Sequence, residues 1–241
     1  MYKTQRYSFN PEKYEETLIN LLEEIANKKV WDKNSLRRTQ AKYPKDKKFM
    51  FSKNDLLRGY NHLIEKKMLK QKENLIQRIR MKPVRTQSGV APITVLTKPW
   101  ECPGNCIYCP NEPNMPKSYI ESEPGAQRAA ALNFDPYLQV QRRIRALENI
   151  GHNTEKVELI VLGGTWSHYT ENYQKWFVKR CFEAMNDSTQ TETKEEKETT
   201  WENLEVQQKI NETTKHRCVG LSLETRPDLV TKKEVIRMRK L

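Results

Sequence analysis

The sequence predicts an α/β protein in which parallel βα units follow a basic helical region. Three observations carry that prediction. After residue 90, short apolar runs alternate three times with amphipathic helical stretches, the pattern of parallel βα units. Before residue 80, apolar positions recur at helical spacing. Charge is also divided unevenly: residues 1–90 carry 22 Lys and Arg against 10 Asp and Glu, whereas the remainder carries 21 of each. The whole formal charge of +12 therefore precedes residue 91. Such a distribution suits a polyanion-binding region joined to a folded body, or else a solvated lysine-rich face.

In "PEKYEETLINLLEEIANKK", Tyr14, Leu18, Leu21, Leu22 and Ile25 share a helical face, with Asn10 as N-cap and Pro11 at the first helical position. A short helix follows near Ser35 to Ala41. A third starts at Ser52 and places Leu56, Leu57, Tyr60, Leu63 and Ile64 on one side. These three helices define a basic region over 1–80. "MKPVRTQSGVAP" is a linker punctuated by Pro83, Gly89 and Pro92, opening a second domain over 81–241. There "ITVLT" (93–97) is a strand, and "FDPYLQVQRRIRALENIGH" a helix with Pro136 in its first turn and Gly151 as its stop. "KVELIVLGG" (156–164) is a buried strand, 170–186 an amphipathic helix, "CVGLSLETRPD" (218–228) a third strand, and "TKKEVIRMRKL" a further helix. The polar stretch 186–200 reads as a surface insertion, and "WENLEVQQKINETTK" as an added helix.

The 241 residues suffice to bury a core. No apolar run approaches the roughly 20 residues of a membrane helix, and the N-terminus lacks the apolar centre of a signal peptide. A cytoplasmic protein without membrane attachment is expected. Its five cysteines are then reduced thiols suited to metal or redox chemistry.

Three of them stand in "KPWECPGNCIYCPNEP", at Cys102, Cys106 and Cys109, a C-x3-C-x2-C spacing. A structural zinc site takes four ligands, and so does a closed four-iron cluster. The nearest further candidates, His152, His168 and Cys181, supply no second C-x2-C half. Three thiolates on a four-iron cube leave one iron open, and S-adenosylmethionine can fill that position through its amino and carboxylate groups. The spacing, and Tyr108 before the last cysteine, resemble the motif of radical S-adenosylmethionine enzymes, which use a partial (βα) barrel. In βα folds ligands gather at the carboxyl ends of the strands. The cysteine loop, "GGT" (163–165) and "ETRPD" (224–228) all fall there.

A narrower resemblance follows from five collinear stretches: "RMKPVRTQSGVAPITVLTKPWECPGNCIYCP", "PKSYIESEPGAQRA", "FDPYLQVQRRIRALENIGH", "KVELIVLGGTWSHY" and "GLSLETRPD". Together they are similar to the catalytic subunit of Elongator and its bacterial and archaeal relatives. The cysteine spacing is shorter than in many of these relatives, and "PNEPN" follows where they carry glycines.

The resemblance implies modification of tRNA: a deoxyadenosyl radical and acetyl-coenzyme A attach a carboxymethyl-type group to carbon five of the wobble uridine. It implies a [4Fe–4S] cluster on Cys102, Cys106 and Cys109. It places Gly163, Gly164, Thr165, Glu224 and Arg226 around S-adenosylmethionine, and Lys117 and Tyr119 on the substrate side as catalytic candidates. Arg128 is a candidate for phosphate or carboxylate, or else a structural ion pair. His152 reads as a helix-terminal residue, His168 as a surface one, and Cys181 and Cys218 as small buried ones. The basic region occupies the place of the family's tRNA-binding segment. Partners implied are tRNA, acetyl-coenzyme A, and a second copy or Elongator-like subunits.

The family's barrel has more βα units than the three legible here, and an acetyltransferase-like domain follows it. The chain thus reads as an N-terminal fragment truncated after about three units, expected to lack turnover alone. Two alternatives stay open at the level of sequence. One is a radical S-adenosylmethionine enzyme with another substrate, the other a non-catalytic zinc-bearing module that binds nucleic acid.

Overall fold

The computed structural model describes residues 9–46, 48–186 and 195–241. Most of the polar insertion, 187–194, lies outside the described residues. The chain divides into two compact units, one of residues 1–85 with 147–152, the other of residues 86–146 with 153–241.

The first unit is helical. A 3-10 turn over Pro11–Tyr14 leads into α1 (Glu15–Asn27), followed by α2 (Ser35–Lys42), α3 (Lys53–Glu65) and α4 (Glu73–Ile79). Asn10 accepts the Glu12 N–H through Oδ1 at 3.0 Å, as an N-cap should. Ser52 and Asp55 form a reciprocal capping box at the start of α3. Leu18, Leu21, Leu22 and Ile25 of α1 meet Leu56, Leu57, Tyr60 and Leu63 of α3, closed by Leu75 and Ile79 of α4. Helix α4 is one more than the three helices the sequence suggests. It is only seven residues long, and its two buried positions are too few to register as a repeat. Arg78 on α4 donates to the Ile25, Ala26 and Lys28 carbonyls, satisfying the carboxyl end of α1.

The second unit is built on a parallel sheet in the order β1-β2-β3. Its strands are β1 (Ala91–Leu96), β2 (Lys156–Leu162) and β3 (Arg217–Leu223). Its helices are α5 (Pro124–Ala130), α6 (Pro136–Glu148), α7 (Glu171–Asn186), α8 (Trp201–Asn211) and α9 (Lys232–Met238). Val95 of β1 pairs with Val161 of β2, which pairs with Leu223 of β3. The strand ends are therefore in step, and the loops after them meet at one edge. Pro92, assigned to the linker from sequence, lies inside β1. That strand has only one partner among the described residues, so the missing N–H of proline interrupts no ladder on its open side. There the Gln139 side chain bonds both backbone groups of Leu96, at 2.8 Å each.

Helix α7 is buried over most of its circumference, with Tyr173, Trp176, Phe177, Cys181 and Met185 inside. The second and third strands end earlier than the sequence suggests, at Leu162 and Leu223. Gly163 and Gly164 take left-handed backbone at φ +120° and +71°, which ends β2 abruptly. No described helix is long and apolar enough to cross a membrane.

Candidate functional site

At the carboxyl edge of the sheet the loops after β1, β2 and β3 enclose a cleft of about 720 Å³. Cys102, Cys106 and Cys109 line it from the first loop, Gly164 and Thr165 from the second, and Glu224 and Arg226 from the third. Lys117 and Ser118 complete the wall. Stretches that lie up to 124 residues apart in the chain thus share one cavity.

Each thiol has a neighbour. Cys102 Sγ shares a hydrogen bond with Thr165 Oγ1 at 3.2 Å, and Cys109 Sγ shares one with Ser118 Oγ at 3.2 Å. Arg226 Nη1 lies 3.7 Å from Cys106 Sγ. Burial pushes the Cys102 thiol up, but the Thr165 hydroxyl, the Gly104 N–H and the charge of Arg226 outweigh it and hold its pKa below the ordinary value. Thiolate character of this kind suits a metal ligand. All five cysteines are free thiols. Among the described residues no three Cys, His, Asp or Glu side chains are gathered closely enough to hold a metal ion. The three thiols nevertheless line one cleft, and thiolate is the donor that an iron–sulfur cluster or a soft metal takes.

The arginine is itself held. Arg226 makes a two-point ion pair with Asp228, at 3.0 and 2.8 Å, which raises the arginine's pKa and lowers that of the carboxyl. The guanidinium packs so tightly on Gly104, within "CPGNC", that a β-carbon there would overlap Nη1. Tyr119, outside the cleft lining, donates its hydroxyl to Glu224 Oε2 at 2.7 Å. Burial and that carboxylate push the phenol well above its usual range. Ser167 and Thr225 tie the second and third loops together through their hydroxyls at 2.7 Å.

Gly163 stands apart from the other glycine-motif residues. Its carbonyl accepts from Thr97 Oγ1 at 2.8 Å and from the Tyr169 hydroxyl at 3.1 Å, and a β-carbon on it would run into Thr97. It shapes the turn, while Gly164 and Thr165 reach the cleft. Burial pushes the Tyr169 phenol up to about 12. Arg128 is exposed on α5, outside the cleft lining, and His168 is exposed at the end of a 3-10 turn. Cys181 is buried and its pKa raised by that burial, and Cys218 is half-buried. Sequence reasoning assigned nothing to Asp228, Ser118, Gly104 or Thr97. Asp228 stood within a quoted motif, but its partner is set by how the chain bends after Leu223.

The chain is similar to curated proteins over much of its length. A tRNA uridine(34) acetyltransferase of Methanocaldococcus infernus is 46% identical over 194 residues, covering 76% of this chain and 34% of that protein. Elongator complex protein 3 of Schizosaccharomyces pombe is 37% identical over 168 residues, covering 65% of this chain and 29% of that protein. The chain therefore spans about a third of the length of the curated relatives it matches. A solved structure of archaeal Methanocaldococcus infernus Elp3 with an N-terminal deletion (1-46) has 41% identity and a TM-score of 0.45, covering 64% of this chain and 26% of that one. No protein-family model matches. Over the matched residues this chain belongs to the family of the tRNA uridine(34) acetyltransferases and Elongator complex protein 3.

Proposed function

We propose that this chain carries the radical-forming portion of a tRNA wobble-uridine modifying enzyme, on part of a (βα) barrel of the radical S-adenosylmethionine type. The observation that supports it most is the convergence of Cys102, Cys106, Cys109, Gly164, Thr165, Glu224 and Arg226 on one cleft at the carboxyl ends of three parallel strands. The three cysteines would hold a [4Fe–4S] cluster. With S-adenosylmethionine bound as well, such a cluster would supply one-electron radical chemistry.

The chain's own residues do the rest. Arg226, steadied by Asp228, stands 3.7 Å from the Cys106 sulfur, and its charge helps favour the ligating thiolate form of Cys102. Gly164 lets backbone approach a ligand closely, and Thr165 orients Cys102 from the same turn. Glu224 offers a carboxylate for amine or ribose hydroxyl groups, and Tyr119 fixes its orientation from one side. Lys117 presents an ammonium to an anionic substrate group at the cleft wall. The basic helical unit would hold tRNA phosphates, and acetyl-coenzyme A would supply the two-carbon group.

The test is iron, sulfide and zinc content after anaerobic reconstitution, with electron paramagnetic resonance of the reduced protein. About four irons per chain and a spectrum that changes on adding S-adenosylmethionine are expected. Zinc in place of iron in a well-folded chain would defeat the reading. If the basic unit holds phosphates, affinity for tRNA falls steeply with salt.

A further inference from the structure

A second groove, of about 620 Å³, lies beside the cleft and shares Asn111 and Lys117 with it. We propose that this groove stacks a nucleobase of the RNA substrate, one adjoining the base presented to the cleft. The inference rests on the reading above that the chain acts on tRNA.

The groove is built around Trp100, with Met115, Pro99 and Pro113 as its other apolar walls. The indole is 38% exposed, yet it is fixed. Its Nε1–H donates to the His168 carbonyl at 3.3 Å, and it stacks on Tyr169 with centroids 5.7 Å apart and planes 27° from parallel. Tyr169 is held in turn by a stacked contact with Tyr173 at 4.9 Å and by bonds from its hydroxyl to the Lys98 and Gly163 carbonyls. The result is a fixed aromatic plate that lines the groove, backed by two more rings, with the Lys98 ammonium 5.1 Å from the indole centroid. The plate loses little side-chain freedom when a flat ligand covers it. Met115, packed against Leu96, Ala126 and Ala129, supplies a second apolar surface.

Charge decides which part of a nucleotide enters. Glu101 and Glu112 line the groove, so a phosphate is disfavoured there and the neutral face of a heterocycle is not. The ammonium of Lys117 stands where groove and cleft meet, the place a phosphate linking two successive nucleotides would cross. Single-stranded RNA is characteristically held in this way, by aromatic stacking of splayed bases with cations on the backbone. A plate and a boundary cation would position a loop nucleotide beside the reacting one.

The experiment is equilibrium binding of an unmodified anticodon stem-loop, and of the same RNA made abasic at each position flanking the target uridine. Wild type, Trp100→Ala and Trp100→Phe are compared, with S-adenosylmethionine binding measured in parallel. The result expected is a roughly 10- to 100-fold loss of affinity for Trp100→Ala, a similar loss when wild type meets one abasic RNA, and little further loss when the two are combined. Trp100→Phe keeps a ring in place and retains most of the affinity, which keeps the test valid if the alanine variant fails to fold. Equal binding of intact and abasic RNAs by wild type overturns the inference and leaves the tRNA reading intact. So does a Trp100→Ala loss of the same size on every RNA, or one confined to S-adenosylmethionine. Absence of RNA binding by wild type at low salt defeats the tRNA reading, and the inference with it.

Discussion

The helical unit and the strand-end cleft follow opposite construction rules. In the helical unit, fourteen apolar side chains form one buried cluster, and many charged groups pair with one another at the surface. At the cleft the lining comes from loops rather than regular elements, with left-handed backbone at Ser118 and Gly164. Its contacts join distant stretches: Cys102 with Thr165, Tyr119 with Glu224, Arg226 with Cys106. The difference teaches that stability and chemistry are kept apart. Core residues make contacts whose loss leaves a cavity, whereas cleft residues face space and polar neighbours that tolerate exchange. Substitutions should separate the two.

The largest expected effect lies in the helical core. Leu21 is fully buried between helices, so Leu21→Ala should cost about 3 to 5 kcal/mol, read from denaturant unfolding. Iron binding by the folded fraction should be unchanged. Next comes the turn that supports the cleft without lining it. Gly163→Ala forces a side chain onto φ +120° and against Thr97, at about 2 to 3 kcal/mol. Gly164→Ala, at φ +71° with its nearest neighbour Lys117 Cβ at 3.7 Å, should cost only about 1 to 2 kcal/mol. Equal costs for the two glycines would mean that Thr97 moves aside and that the turn is not the rigid element described. Tyr119→Phe leaves Glu224 Oε2 without its phenol donor at a partly solvated site, a loss of about 1 kcal/mol. A stability change above that of Gly163→Ala would show the cleft to be part of the core after all.

How much of this was legible follows from the same division. Helical spacing in α1 and α3 names the residues that meet in the core, because a 3.6-residue period is a local property. Parallel strands were legible from apolar runs, but their ends were not: the apolar pattern carries the first strand to Thr97 and the second to Gly164, whereas they stop at Leu96 and Leu162. The site residues that carry a chemical signature, the three thiols and the two strand-end motifs, were also visible. What escaped depends on the path of the loops. Nothing in "CPGNC" says that Gly104 makes room for Arg226, 122 positions later. Nothing in "KPW" says that Trp100 stacks on Tyr169. Helix α4 escaped because seven residues hold too few turns to show a period.

The thiols give the sharpest form of the comparison. Cys106 is exposed and its Sγ meets Arg226 only at 3.7 Å, so Cys106→Ser should change unfolding free energy by no more than about 0.5 kcal/mol. Iron content after reconstitution should nevertheless collapse. A variant that keeps its iron would remove Cys106 from the ligand set. A variant that loses both iron and stability would undo the separation itself.

Acid should act on the helical unit through small, exposed terms. The Arg38 guanidinium, the Asn34 N–H and the Ser35 hydroxyl hold the Asp32 carboxyl down at about 2. Glu15 is held below its ordinary value by Lys66 and His62, and Asp46 by Lys13 and Tyr14. A carboxyl whose folded pKa is depressed contributes stability that is complete above its unfolded pKa, near about 4. It loses that contribution as protons bind on the way down to the folded value. For Asp32 the window therefore runs from about 4 down to about 2. These groups are exposed, so each effect is small and screened by salt. Unfolding midpoints measured across that window should fall with pH, more gently for Asp32→Asn than for wild type, and the gap between them should narrow in high salt. Parallel acid profiles for the two proteins would mean that the Asp32–Arg38 pair contributes nothing to folding. The acid sensitivity of the helical unit would then rest on Glu15, Glu24 and Asp46, whose carboxyls are also held below their ordinary values by hydrogen-bonded neighbours.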